Sequence, residues 1–347
     1  MIRLCIAAFT MTFAIPIPVA AQEAVAHITA NGSTPATELV VHSTTDYVIF
    51  RPALEAFVAK NPTVSITYEQ WGSNALYAQS LAACEGDLPK ADAVFSSAIH
   101  QMVALVNHAC ASPYRSAATA ALAPTRRWRD ELWGVTHEAA VIIYNTKLVP
   151  ATDAPRTRFA LLDLMRQPGT TYDGKIATYD IEASGLGYLL AFADSLEATT
   201  FGALLEGFAR SNAVATCCSA EIIKGVADGR YLIAYNVLGS YIDPVASENI
   251  GVIKPEDYTL FLSRAYMIPR GARNPVMSAA LLDFLLSPEG QSVLADRNLV
   301  DRGDSEDTNL PISAQRDIAI EPALLVAIDQ HRRVRFIDQW RSSFRPK

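Results

Sequence analysis

The 347-residue chain is 50% hydrophobic, 19% charged and 9% aromatic, which is ample for a large core and too apolar for a disordered protein. A formal net charge of -7 removes any global attraction to nucleic acid or anionic lipid. The 6 His and 5 Cys are scattered, unlike the ligands of a metal- or disulfide-stapled small domain.

Arg3 precedes an almost unbroken apolar run, Leu4 to Val19, which carries Pro16 and Pro18 and ends in Val19-Ala20-Ala21. The run is shorter than the ~20 residues of a membrane-spanning helix and ends in the small residues signal peptidase needs. It reads as an export signal over 1–21, cut after Ala21, and places the protein in the periplasm. Residues 22–37 lack periodicity and read as a flexible leader.

From Glu38 the signals alternate. Glu38 to Ser43 is strand-like, and Val48, Ile49, Leu54, Phe57 and Val58 follow at helical spacing. Val64 to Tyr68 alternates as a strand, a helix is expected over about 74–85, and Ala91 to Phe95 is a third strand followed by a helix to about Val106. Trp133 to Thr136 and Val141 to Asn145 are strand-like, and Pro150 and Pro155 follow. Leu161 to Met165 is helical, Lys175 to Tyr179 extended, Ser184-Gly185 opens an apolar helix, and Tyr231 to Tyr235 is another strand. Ala265 to Pro269 is extended, Pro275 starts an amphipathic helix, and Asp-rich 301–309 reads as a loop. Strand-helix alternation of this kind builds doubly wound parallel sheets. Crossings between two lobes are expected near 143–150 and 262–269.

Removal of Cys5 with the signal leaves Cys84, Cys110, Cys217 and Cys218, which allow three pairings. A Cys84–Cys110 bridge would stabilise by roughly 3 kcal/mol in the chain-entropy model. Bonding Cys217 to Cys218 requires a cramped ring through one peptide bond, and buried free thiols are the alternative. No further thiolate ligands stand close by in sequence, so no metal site and no cofactor are expected.

The export signal, the two α/β blocks and the string Leu286-Ser287-Pro288-Glu289-Gly290-Gln291 resemble the extracellular solute-binding proteins of ABC importers. The similarity is greatest to the iron(III), thiamine and phosphate-ester branch, which includes phosphoglycerate-sensing regulators. It is carried by Val40 to Asp46, Val94 to Ala98, Tyr144-Asn145-Thr146 and Tyr235 to Tyr241. The resemblance implies a type II periplasmic-binding-protein fold, two doubly wound lobes joined by a hinge that closes on ligand. The first lobe would hold 38–143 and 266–347, the second 144–265. It also implies a monomer that serves an ABC permease or a membrane sensor kinase, without chemistry of its own. Iron-binding members of that branch use adjacent tyrosines, a pair this chain lacks. Ferric iron is therefore the alternative ligand, and a secreted two-lobed hydrolase or transferase the alternative of another class.

Open α/β sheets bind ligands beyond the carboxyl ends of their strands. Ser43, Thr44, Thr45, Ser96, Ser97 and Ser184 all stand at strand-to-helix junctions, where hydroxyls and free N–H groups can surround an anion. Each is also an ordinary N-cap residue, and repetition at three junctions favours the ligand role. Trp71, Tyr235 and Asn236 are candidates for the organic part of the ligand, Asp180 for its hydroxyls. Arg264, before the return strand, is a partner for an acidic group or one half of a hinge salt bridge. The expected ligand is a small anion, a phosphate ester such as a sugar phosphate or phosphoglycerate.

Gly169 to Lys175 has P-loop spacing, but Ile176 replaces the required hydroxyl residue and the helix precedes the strand. The sequence has no Gly-x-Ser-x-Gly, His-Glu-x-x-His or Cys-x-x-Cys motif, so catalysis is not expected.

Overall fold

Among the described residues the alternating signals become two seven-stranded sheets. The computed structural model describes residues 22–344, apart from 31, 33, 87, 89, 168–170, 198, 243–247 and 302–309. The expected export signal, Cys5 included, and nearly all of the 301–309 loop lie outside the described residues. No described helix is long and apolar enough to cross a membrane.

The first part of the chain runs through β1 (Gln22–Ile28), β2 (Thr37–Ser43), α1 (Tyr47–Lys60), β3 (Val64–Trp71), α2 (Ser73–Glu85), β4 (Ala93–Ser96), α3 (Ile99–Asn107), α4 (Ala117–Ala121), β5 (Arg127–Trp128) and β6 (Leu132–Gly134). β2 pairs in parallel with β3 and β4, as helical crossovers require. β1 corrects the expectation of a leader over 22–37. It lies antiparallel on β3 at the sheet edge. Only Ile28 of the strand is buried, so backbone pairing holds it without an apolar pattern for the sequence to display.

Residues 135–137 carry the chain into the second sheet. There follow β7 (Glu138–Asn145), α5 (Arg158–Arg166), β8 (Ile176–Tyr179), α6 (Gly185–Glu197), α7 (Phe201–Arg210), β9 (Val214–Thr216), α8 (Ser219–Ala227), β10 (Ile233–Leu238), β11 (Ile250–Ile253) and β12 (Thr259–Leu262). The P-loop-like segment joins α5 to β8, the wrong order for a phosphate loop. Ser263 and Arg264 return the chain to β13 (Ala265–Met267), which enters the first sheet between β4 and β6. The first crossing therefore precedes the expected 143–150, because β7 belongs wholly to the second sheet. The prolines near 150 mark a turn inside the second lobe.

The C-terminal boundary also differs. α9 (Pro275–Leu286) and α10 (Pro288–Ala295) cover the first sheet, with Leu281, Leu282, Leu285 and Leu294 packed among Phe57, Phe95 and Tyr266. β14 (Gln315–Asp317) then pairs with β12 of the second sheet. α11 (Gln330–Ser343) buries Ile337 and Trp340 in the second lobe's core with Phe201, Leu204 and Phe208. The expected allocation of all of 266–347 to the first lobe fails because the aromatic stripe Phe336, Trp340 and Phe344 finds its stacking partners on α7.

The Leu286 to Gln291 string has a structural explanation. The Ser287 hydroxyl accepts the Gly290 N–H at 3.1 Å and caps α10 behind Pro288. A Cβ on Gly290 would lie 2.0 Å from the Phe284 carbonyl oxygen, so only glycine permits this approach of α10 to α9. The Gln291 amide donates to the Leu285 and Val135 carbonyls and ties this corner to the first crossing.

Candidate ligand-binding cleft

Among the described residues, the segments that follow six strands meet between the lobes around a cavity of about 330 Å³. From the first lobe come Thr44 and Asp46 after β2, Trp71 at the end of β3 with Gly72 and Ser73 after it, and Ser97 after β4. The second lobe supplies Ala183 and Ser184 after β8, Cys217, Cys218 and Ser219 after β9, and Tyr241 after β10. This is the position the switch-point rule assigns to a ligand.

The junction hydroxyls divide into two groups. Ser43 and Ser96 are buried and accept the N–H groups of Thr45 at 3.0 Å and Ala98 at 3.1 Å, so they shape their own turns. Ser184 accepts the Gly187 N–H at 3.0 Å as a helix cap. Thr45 meets Arg264 Nη1 at 2.9 Å, behind the cavity wall. Thr44 and Ser97 line the cavity: Thr44 Oγ1 accepts the Ser97 N–H at 3.0 Å and stands 3.2 Å from Ser97 Oγ. Trp71 lines it too, with its ring nitrogen held by Glu69 at 3.2 Å. Asp180 sits in the turn beside the cavity, its carboxylate accepting the N–H groups of Glu182 and Ala183.

Tyr235 and Asn236 do not line the cleft, contrary to expectation. The β10 pairing register shifts between Ala234 and Val237, and Asn236 adopts φ 60°. This bulge turns both side chains into the second lobe. There the Tyr235 hydroxyl and the Asn236 amide donate to Asp194, which also accepts from Tyr258 and Arg158.

Arg264 is fully buried and does not reach the cavity wall. Its Nε donates to Glu138 at 2.8 Å and its Nη2 at 3.0 Å, the two-point pairing that the planar guanidinium favours. Burial opposes its charge, but Glu138 and then Tyr241 outweigh this and hold the guanidinium above its ordinary range. Glu138, which stands next to His137 in sequence, gains its importance only through this pairing.

Four cavity-lining groups, Glu23, Asp46, Ser73 and Ser219, were not singled out by sequence reasoning, whereas Tyr179 and Tyr241 stood out as aromatics at strand ends. Glu23 of β1 and Asp46 both approach the Gln70 amide, at 2.9 and 3.3 Å. Burial raises the Asp46 carboxyl, Arg264 pulls it down and Glu23 raises it further. Tyr179 and Ser219 share a hydroxyl hydrogen bond of 2.7 Å at the start of α8. The signal for Ser73 and Ser219 was a hydroxyl at a strand-to-helix junction, and for β1 there was none.

The lobes touch directly. The Asn74 amide of α2 donates to the carbonyls of Glu182 at 2.9 Å and Ala183 at 3.1 Å, and the Gly185 N–H donates to Ser73 Oγ at 2.8 Å. The Tyr241 hydroxyl donates to the Thr44 carbonyl at 3.2 Å. These contacts close the cleft on one side.

Comparison with known proteins agrees with this architecture. Residues 42–292 match the model of the bacterial extracellular solute-binding protein family. The chain belongs to that family. Its fold is similar to the substrate-binding protein of an ABC transporter from Agrobacterium tumefaciens, with a TM-score of 0.86, 30% identity, and coverage of 94% of this chain and 100% of that one. It is also similar to AfuA from Actinobacillus pleuropneumoniae, solved with fructose-6-phosphate (TM-score 0.68, 17% identity, 89% of this chain and 99% of that one). Iron-bound HitA from Pseudomonas aeruginosa gives a TM-score of 0.64 at 16% identity over 88% of this chain and 99% of that one. No curated protein sequence matches. The solute-binding protein thus has the type II fold, with two lobes around a cleft.

Proposed function

We propose that this solute-binding protein captures a polyol phosphate ester, a sugar phosphate in chemical class, in the periplasm and delivers it to an ABC permease. The observation that carries the reading is the lining of the cavity: hydroxyls and helix starts on both lobes, with Glu23 and Asp46 at one side and no Lys or Arg among the described lining residues. Thr44, Ser97 and the start of α8 offer neutral donors to phosphoryl oxygens, and helix dipoles favour the charge. Glu23 and Asp46 accept hydrogen bonds, so the rest of the ligand must bring donors, as sugar hydroxyls do. Trp71 supplies a flat apolar face for the sugar ring. Iron is disfavoured by the tyrosines at hand: burial raises the phenols of Tyr179 and Tyr241, against the phenolate that Fe(III) requires.

The test is calorimetric titration with fructose 6-phosphate, fructose, inorganic phosphate and ferric citrate. The phosphorylated sugar is expected to bind and fructose not. Ser97→Ala should weaken binding about 10- to 100-fold, the worth of one hydrogen bond to a charged group. Binding only of an uncharged or cationic solute, or undiminished affinity in Ser97→Ala, would overturn the reading. Stimulation of permease ATPase activity by the loaded protein checks the delivery step.

A further inference from the structure

The cavity wall contains two side chains that the capture of a phosphate ester does not use. β9 ends and α8 begins at Cys217-Cys218, both exposed and both facing the cavity. One turn into α8, Glu221 Oε2 lies 3.6 Å from Cys217 Sγ. The two sulfurs and the carboxylate oxygen all lie within 4.8 Å of one another. In sequence the two cysteines lack further ligands. The helical turn from Ser219 supplies the third by bringing residue 221 back over residue 217.

We propose that Cys217 and Cys218 form a reversible dithiol site, and that its reduced form, with Glu221, holds one thiophilic divalent cation of the zinc and cadmium type. In the structure the two sulfurs are bonded to each other. Reduction by a dithiol reagent, or by a periplasmic thiol-disulfide oxidoreductase, breaks that S–S bond. The reductant gives up two electrons and two protons and forms its own disulfide, and both cysteines become thiols. The cation then displaces the two thiol protons and binds two thiolates and one carboxylate. Thiolates select soft and borderline ions over hard ones. Three protein ligands leave a tetrahedral ion one open position, available to water or to a polar solute, and two of the three line the ligand cavity. The other Glu221 oxygen stands 3.9 Å from Arg230, which leaves Oε2 for the metal.

The second cysteine pair provides the internal control. Cys84 and Cys110 are also bonded, with Cα atoms 5.4 Å apart, but Cys110 is buried in the core. Exposed disulfides are the labile ones and buried ones resist reduction. Mild reductant should therefore release two thiols, both at Cys217 and Cys218.

The test uses protein purified from the periplasm and does not depend on sugar phosphate binding. Thiol titration is expected to find none before mild reduction and two after it, mapped by alkylation and mass spectrometry. Cadmium added to the reduced protein should bind one equivalent and produce the ultraviolet sulfur-to-cadmium charge-transfer absorption. Cys217→Ser/Cys218→Ser should lose that absorption, and Glu221→Gln should weaken cadmium about tenfold or more, at least what the loss of an outer-shell partner costs. No absorption in the reduced wild type, equal absorption in the double serine variant, or unchanged affinity in Glu221→Gln would each overturn the site.

Discussion

Among the described residues two arginines are completely buried, and what each of them connects is different. Arg158, on α5, donates to Asp194 of α6, to the Tyr235 hydroxyl of β10 and to the Tyr258 carbonyl, all within the second lobe. Arg264 sits in the return crossing. It joins Thr45 of the first lobe to Glu138 and Ser240 of the second, and it approaches the Tyr241 hydroxyl at 3.4 Å. Both guanidiniums are held above their ordinary range: burial opposes the charge, and it is outweighed by Tyr235 and Asp194 around Arg158 and by Glu138 and Tyr241 around Arg264. Desolvation makes such pairs poor sources of net stability, but removing one partner strands the other. Identical chemistry therefore serves two ends: the first network fixes the interior of one lobe, and the second fixes how the lobes meet behind the ligand.

That contrast can be broken by mutation, beginning with the largest effect. Arg158→Ala should destabilise by about 3–5 kcal/mol, because Asp194 is left buried without its cation. Denaturant unfolding measures the loss, and ligand affinity of the molecules still folded should stay near wild type. Replacing Arg264 and Glu138 together by Met should change stability far less, since a buried pair exchanged for apolar groups is often neutral. Ligand affinity in calorimetry should nevertheless fall at least about tenfold, because Thr45 and Tyr241 lose their common partner. Equal affinity losses in the two experiments would erase the distinction.

Acid sharpens the comparison at a smaller scale. His100 of α3 is buried in the first lobe and stacks on Tyr188 of the second at 5.4 Å, and burial, then Arg333, pushes it down to about 3. A histidine with a depressed folded pKa stabilises the native state only while the unfolded chain is also neutral. Its contribution is complete above the unfolded pKa near 6.5 and is lost as pH falls from there toward 3. The loss amounts to about 1.4 kcal/mol per pH unit. Wild type minus His100→Phe isolates this slope from the opposing contribution of Asp46, whose carboxyl is raised by burial. The smallest effect belongs to Gly185. A Cβ there would meet Gln101 Nε2 at 2.8 Å and Ser73 Oγ at 2.9 Å across the cleft. Gly185→Ala should weaken ligand binding a few-fold through poorer closure, by calorimetry, with thermal unfolding nearly unchanged because both neighbours are flexible polar ends.

Much of this protein was already legible as sequence. Apolar spacing marked α1, β3 and α9, because an element that buries one face repeats its apolar residues with its own period, whereas β4 and β8 read as short apolar runs because every residue in them is buried. Junction hydroxyls at Thr44 and Ser97 marked the first lobe's cavity wall, because a strand that hands over to a helix exposes its N–H groups there. The remainder depended on contacts between residues far apart in the chain. β1 has no apolar pattern because β3 holds it by its backbone, and α11 joined the second lobe because its aromatic partners lie on α7. Tyr235 and Asn236 stand at a strand end that faces the cleft on sequence grounds, until a one-residue bulge turns them toward Asp194. Arg264 could be read either as a ligand contact or as a hinge salt bridge. Only the folded chain decided, because Glu138, 126 residues away, comes within 2.8 Å of it at the junction of the two crossings. Local spacing specifies which face of an element is apolar, whereas the direction of a polar side chain is set by which distant group satisfies it once both are removed from water.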